Sequence, residues 1–258
     1  MVRPYLKTKL GREFLVGTQI VLSDAMSAEL IGRAGYDFAV VDVENGDEGI
    51  ASLRARIKSL AATDTPTVAR VSATNSEYDM RNLRQVLALG PDGLILTGIN
   101  DAQGLRAAIS ECLLPPHGMR RVKPHMAVGR GGVIGGDYTI VDAGSTAIIL
   151  QLDTAEALRN LDEILLVRGV DAFIFDIGFF CSADGHPQDI FGRDTELTLK
   201  CTTSYFREMM RPFGVSVCRS GRSAVKYWCD CGANFVVSGT DAEYILEGAR
   251  RNLSEFGK

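Results

Sequence analysis

The feature that most constrains the fold is an eightfold alternation of short apolar runs with helical patterns. The runs have the length and residue content of buried strands, and they cover residues 14–22, 38–43, 66–71, 93–97, 147–152, 172–177, 215–218 and 234–238. Strands that alternate with helices form a parallel sheet. In one chain of 258 residues, eight such units predict an α/β fold, a single (β/α)8 TIM barrel spanning residues 1–258.

Composition and charge restrict the function classes. The formal net charge is −4 and no block of like charges occurs, which argues against nucleic-acid binding. No stretch approaches the roughly 18 apolar residues of a membrane helix, and the first residues lack the apolar core of a signal peptide. The six cysteines are scattered, which is typical of reduced thiols. We therefore expect a cytoplasmic protein that binds neither nucleic acid nor membrane.

One long segment interrupts the alternation. Periodicity fails over residues 114–143, which contain a Pro-Pro pair and a glycine-rich run at 129–136. A loop of this length inside a domain is more often functional than idle. The glycines lack the spacing of a dinucleotide-binding loop and follow no strand, so we expect a lid over substrate at most.

Polar side chains gather where the predicted strands end. The carboxyl ends of barrel strands carry the chemistry of this fold, and they hold Gln19, Asp42, Glu44, Asn45, Arg70, Thr97, Gln151, Asp153, Asp176, Arg219 and Ser238. A buried guanidinium needs an anion. Arg70 therefore predicts either a carboxylate or phosphate site or an internal ion pair with Asp42 or Glu44, and both can hold together.

Gln151 and Asp153 lie two residues apart and so share one face of an extended strand. An amide beside a carboxylate suits an oxo-acid substrate or one ligand of a divalent metal. The alternative is that Asp153 caps the helix that begins after it. Asp42 and Asp176 are likewise either catalytic acids or bases, or carboxylates tied to neighbouring backbone and arginine groups.

The order and spacing of several short motifs resemble the HpcH/HpaI aldolase family, the class II pyruvate aldolases related to citrate lyase β subunits. The similarity extends over residues 17–253, and the matching stretches are SAEL at 27–30, AGYDF at 34–38, Asp42-x-Glu44, VAR at 68–70, PPxGxR at 115–120, QxDT at 151–154, NLxxIL at 160–165, GVD at 169–171, GHP at 185–187, GANFV at 232–236, Gly239 and Asp241. The resemblance implies a TIM barrel in a homo-oligomer, between dimer and hexamer, with an exchanged C-terminal helix.

The resemblance also implies roles for individual residues. Typical members hold a divalent metal through acidic residues that match Asp153 and Phe179, and they bind the oxo acid through residues that match Arg70 and Gln151. A histidine that matches Asn45, paired with the aspartate that matches Asp42, transfers the proton. Phenylalanine has no ligand atom and asparagine is no base near neutral pH. We therefore expect no tightly bound metal, with magnesium or manganese only if Asp153 acts with Asp176 or Glu44.

An oxo-acid site without a metal needs protein donors to polarise the carbonyl group. The candidates for substrate binding are Arg70, Gln151, Gln19, Arg120 (with Arg121) and Asp153; those for catalysis are Arg70, Glu44, Asp42 and Asn45, with His125 as a further possible base. This pattern resembles the metal-independent citrate synthases of siderophore pathways, which join oxaloacetate to acetyl-CoA. The alternatives are a metal-dependent pyruvate aldolase and a non-catalytic protein that binds oxo acids.

Overall fold

The computed structural model describes residues 6–44, 49–121, 145–178, 193–217 and 221–257. Eight parallel strands close into a barrel in chain order, with β8 paired to β1. The strands are β1 (Leu15–Ile20), β2 (Phe38–Asp42), β3 (Thr67–Ser72), β4 (Gly93–Thr97), β5 (Ala147–Leu152), β6 (Ala172–Asp176), β7 (Phe213–Ser216) and β8 (Phe235–Thr240). The predicted (β/α)8 barrel is confirmed.

Except for the first, which precedes β1, the helices follow the strands on the outside of the barrel. They are α1 (Leu6–Lys9), α2 (Ala25–Gly32), α3 (Ile50–Ala61), α4 (Glu77–Ala88), α5 (Ala102–Cys112), α6 (Ala155–Arg159), α7 (Leu161–Leu165), α8 (Arg193–Glu208), α9 (Gly221–Asp230) and α10 (Asp241–Ser254). Capping residues set several starts, since Asp24, Ser76 and Asp101 each accept hydrogen bonds from first-turn backbone N–H groups. No helix in the described part of the chain is long and apolar enough to cross a membrane.

The helix predicted after β5 is divided in two at Asn160. The backbone of Asn160 leaves helical geometry there, and its side-chain Nδ2 donates to the carbonyl oxygen of Asn100 at 2.9 Å. This hydrogen bond joins the connection after β5 to the connection after β4. Both connections follow the carboxyl ends of their strands. The break in the helix therefore frees Asn160 for a contact between these two connections.

Two apolar layers hold the barrel. The inner layer fills the barrel and includes Phe38, Val40, Val68, Ile95, Ile149, Ile174, Phe235 and Val237, while the outer layer lies between the strands and the helices. Leu6 and Leu10, from the first helical turns, belong to the inner layer. A Cβ on Gly93, the first residue of β4, would come within 3.3 Å of Leu6 Cδ2. The segment that begins with α1 therefore closes the amino-terminal end of the barrel.

Two glycines make room for two inner phenylalanines. Gly17 pairs with Phe38 and Gly214 with Phe235 in the strand register. A Cβ added at Gly17 would lie 2.4 Å from the Phe38 ring, and one at Gly214 would lie 2.3 Å from the Phe235 ring. The two rings meet edge to face with centroids 6.1 Å apart. The glycines are required here because the rings occupy the space of their side chains.

The apolar residues of α2 differ from expectation. The helical spacing of Met26, Leu30 and Ile31 predicts one apolar face; Ile31 packs against the core, yet Met26 and Leu30 are 69% and 64% exposed. The helix also packs through Ala28 and Gly32, which are buried, because small residues bring its backbone close to Thr63. The C-terminal helix α10 is similarly exposed, and its only buried residue is Asp241.

Candidate active site

The structure gathers five predicted residues at the carboxyl ends of four strands. Gln19 comes from β1, Asp42 from β2, Arg70 from β3, and Gln151 with Asp153 from β5 and the residue after it. The register sets Asp42 beside Arg70 in neighbouring strands. All five are at least nine-tenths buried. Because buried polar groups are costly without hydrogen-bond partners, we expect these side chains to bind one another.

Arg70 lies at the centre and each of its nitrogens has a partner. Nε donates to Gln151 Oε1 at 3.0 Å and Nη1 donates to Asp42 Oδ2 at 3.0 Å. Nη2 lies 2.8 Å from Glu44 Oε2, an ion pair without hydrogen-bond alignment. Burial alone lowers the pKa of Arg70, but the charges of Asp42, Glu44 and Asp176 outweigh it and raise that pKa. The internal ion pair predicted for Arg70 is therefore present.

Asp42 connects three parts of the site. Its Oδ2 accepts hydrogen bonds from Gln19 Nε2 at 3.0 Å and from Arg70. Its Oδ1 accepts from the backbone N–H of Glu44 at 3.0 Å. Asp42 therefore orients both Arg70 and the start of the connection that carries Glu44.

Glu44 is the most accessible carboxylate of this cluster. Its side chain is 25% exposed, and its Oε1 accepts a hydrogen bond of 2.6 Å from the hydroxyl of Thr97. Thr97 is completely buried at the end of β4. The strand-end pattern included Thr97, but its role in fixing Glu44 depends on a contact between non-adjacent strands that one sequence does not show.

Gln151 and Asp153 extend the cluster toward β5. Gln151 Nε2 donates to Asp153 Oδ2 at 2.9 Å. Asp153 is not the helix cap, because the hydroxyl of Thr154 accepts from the backbone N–H of Ala157 and does that work. Burial is the main cause of a raised pKa at Asp153, with added repulsion from Glu44 and Asp176, against the opposing effects of Gln151 and Arg70.

Arg120 lies elsewhere, and its placement at the oxo-acid site was wrong. Its Nη2 donates to the carbonyl oxygen of Leu87 at 3.1 Å, near the end of α4. Residues 113–121 follow α5, and a helix that follows a barrel strand returns to the amino-terminal end of the strands. The segment therefore starts at the end of the barrel opposite the cluster. Asn45, His125, Phe179 and Arg219 lie outside the described residues.

In the described part of the site, Asp153 and Glu44 are each engaged by protein groups. No three His, Cys, Asp or Glu side chains within residues 6–44, 49–121, 145–178, 193–217 and 221–257 are grouped to hold an ion. Asp153 Oδ2 accepts from an amide, and the two oxygens of Glu44 face Thr97 and Arg70. The arrangement is instead a set of hydrogen-bond donors and carboxylates around one guanidinium.

Together, the barrel and this cluster define an α/β-barrel protein with a polar site at the carboxyl ends of its strands. The sequence profile of the HpcH/HpaI aldolase/citrate lyase family matches residues 17–244. The chain belongs to this family and is an enzyme of it, which leaves the non-catalytic alternative without support.

Individual relatives agree with this assignment. The chain is 25% identical over 236 residues to the hydroxypyruvate/pyruvate aldolase of Roseobacter denitrificans, covering 91% of this chain and 89% of the relative. Its fold is similar to that of an HpcH/HpaI aldolase/citrate lyase family protein from Burkholderia cenocepacia, with a TM-score of 0.87, 21% identity, and coverage of 98% and 99% of the two chains. It is also similar to the citrate synthase SbnG, with a TM-score of 0.83, 19% identity, and coverage of 98% and 97%.

Proposed function

We propose that this enzyme joins a small 2-oxo acid to an acyl-CoA without a metal, as in the condensation of oxaloacetate with acetyl-CoA to citrate in siderophore biosynthesis. The observation that carries the proposal is the contact network in which Arg70 binds Gln151 on one side and Glu44 on the other. The network puts hydrogen-bond donors next to a partly exposed carboxylate. The fold similarity to a citrate synthase is in keeping with it.

In this mechanism the oxo acid is the electrophile. Arg70 binds its carboxylate through charge-assisted hydrogen bonds. The amide of Gln151 has a second N–H besides the one that meets Asp153, and it polarises the keto oxygen. Such preorganised donors stabilise the alkoxide that develops at that oxygen.

Glu44 is the proposed base. It removes a proton from the methyl group of acetyl-CoA, and the resulting carbon nucleophile attacks the keto carbon of oxaloacetate to form the new carbon–carbon bond. The keto oxygen becomes an alkoxide, which takes up the proton that Glu44 holds and leaves Glu44 ionised again. Water then hydrolyses the thioester, which releases CoA and citrate. The hydroxyl of Thr97 holds Glu44 through Oε1 and so fixes its position during proton transfer.

The second candidate is a divalent-metal-dependent pyruvate aldolase that cleaves 4-hydroxy-2-oxo acids. The observation that favours it is the full-length similarity to a hydroxypyruvate/pyruvate aldolase. Asp153 would then bind magnesium or manganese together with Asp176 or Glu44. Asp176 ends β6 and its charge acts on both Arg70 and Asp153, so it faces the same cluster.

Two assays separate these candidates. One measures CoA release from acetyl-CoA with oxaloacetate, with EDTA and with added magnesium or manganese. The other measures pyruvate release from a 4-hydroxy-2-oxo acid under the same conditions. We expect CoA release that EDTA does not remove and that Glu44→Gln abolishes. Metal-stimulated pyruvate release with no CoA release would overturn the proposal in favour of the aldolase.

A further inference from the structure

A groove rich in arginine runs along the outside of the barrel, away from the candidate active site. It lies between α3, α4 and the residues that follow α5, and its volume is about 790 Å³. Five arginines line it: Arg54, Arg81, Arg84, Arg120 and Arg121. Among the described residues that line it, Glu111 is the single carboxylate, so the described lining carries four net positive charges in a chain whose overall charge is −4.

Glu111 is already bound by one of the five arginines. Arg84 binds Glu111 with two hydrogen bonds, from Nε at 2.8 Å and from Nη2 at 2.7 Å. The hydrogen bonds from Arg84, with the charge of Arg121 in support, lower the pKa of Glu111 despite its partial burial. Glu111 is thus hydrogen-bonded by Arg84, whereas Arg121 acts on it through charge without an ion-pair contact.

Three arginines of the groove have no ion-pair partner among the residues that the structure describes. Arg54, Arg81 and Arg121 form no ion pair anywhere in the described parts of the chain. The guanidinium of Arg81 lies over the ring of Tyr78, 5.9 Å from its centroid. Like charges that converge on one concave surface repel each other, and the repulsion is removed when an anion enters. Guanidinium groups match the oxygen geometry of phosphate and carboxylate in particular.

The shape and lining of the groove favour a small organic phosphate. Its volume is that of a small-molecule or cofactor site, and Ile50 and Met119 add apolar surface beside the arginines. A nucleic acid would call for an extended basic surface, which a chain with a net charge of −4 does not provide. Several charges with an adjoining apolar wall suit a molecule that combines a diphosphate with an organic group.

We propose that this groove between α3 and α4 binds a phosphate-bearing small molecule of the nucleoside diphosphate type, with Arg54, Arg81 and Arg121 as the phosphate ligands. The proposal does not depend on the reaction at the strand ends. Two sources share the required chemistry: a free nucleotide that acts as an effector, and the phosphorylated adenosine diphosphate portion of coenzyme A.

Calorimetric titration of the whole protein with ADP, coenzyme A, pyrophosphate and citrate tests the site. ADP or coenzyme A is expected to bind, with an affinity that weakens as salt rises. The double variant Arg54→Gln/Arg81→Gln is expected to weaken binding about 100-fold, since each of the two lost charge-assisted contacts contributes about tenfold. The control Arg12→Gln/Arg159→Gln makes the same change of net charge at two exposed arginines outside the groove and is expected to bind like the parent.

The outcomes decide between the possibilities. Binding of ADP and coenzyme A together indicates the shared phosphate group, and binding of coenzyme A alone indicates the acyl carrier. The proposal is overturned if neither binds, if both variants weaken binding equally, or if citrate binds more tightly than ADP. It is also overturned if affinity for oligonucleotides increases steadily with their length. Saturation with oxaloacetate is expected to leave ADP binding unchanged, since the two sites are separate.

Discussion

At the scale of single residues, the candidate site depends on the planar guanidinium of Arg70. Its three nitrogens reach Gln151, Asp42 and Glu44, which come from three different parts of the barrel. A point charge on a flexible stem does not satisfy three partners in one plane. The geometry of Arg70, more than its charge, therefore holds the site together.

Arg70→Lys tests this statement. We expect kcat/KM for the oxo acid to fall about 100-fold, or about 2.7 kcal/mol, because the ammonium group leaves at least one buried partner without its hydrogen bond. Steady-state kinetics measure the loss, and circular dichroism checks the fold. Arg33→Lys is the matched control, since Arg33 is exposed and pairs only with Glu29 on its own helix. Equal values of kcat/KM for the two variants would contradict the role of the planar guanidinium of Arg70.

Asp153 gives a prediction for stability against pH. Its pKa is raised in the folded protein, mainly by burial, so the folded state keeps a proton that the unfolded chain has already released. The contribution of Asp153 to the free energy of unfolding is therefore fully present below the ordinary aspartate pKa of about 3.9. It decreases as pH rises through the raised pKa of the folded state. Asp153→Asn removes this dependence. Urea unfolding measures the free energy of unfolding of both proteins from about pH 4 upward. We expect the stability of Asp153→Asn to increase relative to the parent as pH rises, and an equal pH dependence of the two proteins would exclude the effect.

The sequence predicted these residues better than it predicted their partners. Gln19, Asp42, Arg70, Gln151 and Asp153 were found because each ends or follows an apolar run. Arg120 was misplaced because a motif does not say at which end of the barrel its loop begins. The bond between Thr97 and Glu44 joins side chains 53 positions apart, and nothing in the local pattern of either residue indicates it.

At the scale of elements, the alternation of apolar runs with helical patterns predicted the order of the strands. It did not predict which side chains of each helix pack inward. Apolar periodicity located all eight strands to within a few residues. It misjudged part of α2, where Ala28 and Gly32 are buried while Met26 and Leu30 are largely exposed. Periodicity weighs residues by hydrophobicity, whereas close approach of a short helix is decided by size.

The inner glycines give a prediction at this scale. Gly214→Ala puts a methyl group 2.3 Å from the Phe235 ring, so either the ring or the strand must move. We expect a loss of about 1–3 kcal/mol in the free energy of unfolding, as in other overpacked cores. Gly248→Ala is the control, because a Cβ there meets nothing within 4 Å and alanine favours the helix by about 1 kcal/mol. Chemical denaturation is expected to give shifts of opposite sign, and a stabilised Gly214→Ala protein would refute the packing account.

At the scale of the whole molecule, the C-terminal helix exposes several large apolar side chains. On α10, Ile245, Leu246 and Leu253 are 61%, 49% and 50% exposed, and Phe256 beyond it is 73% exposed. Exposed apolar groups of this kind mark interaction sites. We therefore propose a homo-oligomer, between dimer and hexamer, in which α10 packs on a neighbouring copy.

Light scattering during size-exclusion chromatography measures this prediction. The parent protein is expected to elute with at least twice the mass of the chain. Ile245→Glu/Leu253→Glu is expected to shift it toward the monomer, because buried charges oppose association. Leu166→Glu, at a residue 74% exposed outside α10, is expected to leave the mass unchanged. A parent protein that is monomeric at micromolar concentration would contradict the proposal.

The ion pair between Arg70 and Glu44 has a consequence for ligand affinity. In the proposed mechanism the substrate carboxylate binds Arg70, whose Nη2 is already paired with Glu44, so Glu44 would compete with the substrate for this guanidinium. An incoming oxo acid must exchange with it, and the cost of that exchange weakens the apparent affinity. Glu44→Gln keeps an oxygen for Thr97 and removes the competing charge. Calorimetry is expected to show that Glu44→Gln binds an unreactive oxo-acid analogue more tightly than the parent, while kinetic assays show no turnover. The substitution of one side chain would then raise affinity and abolish activity.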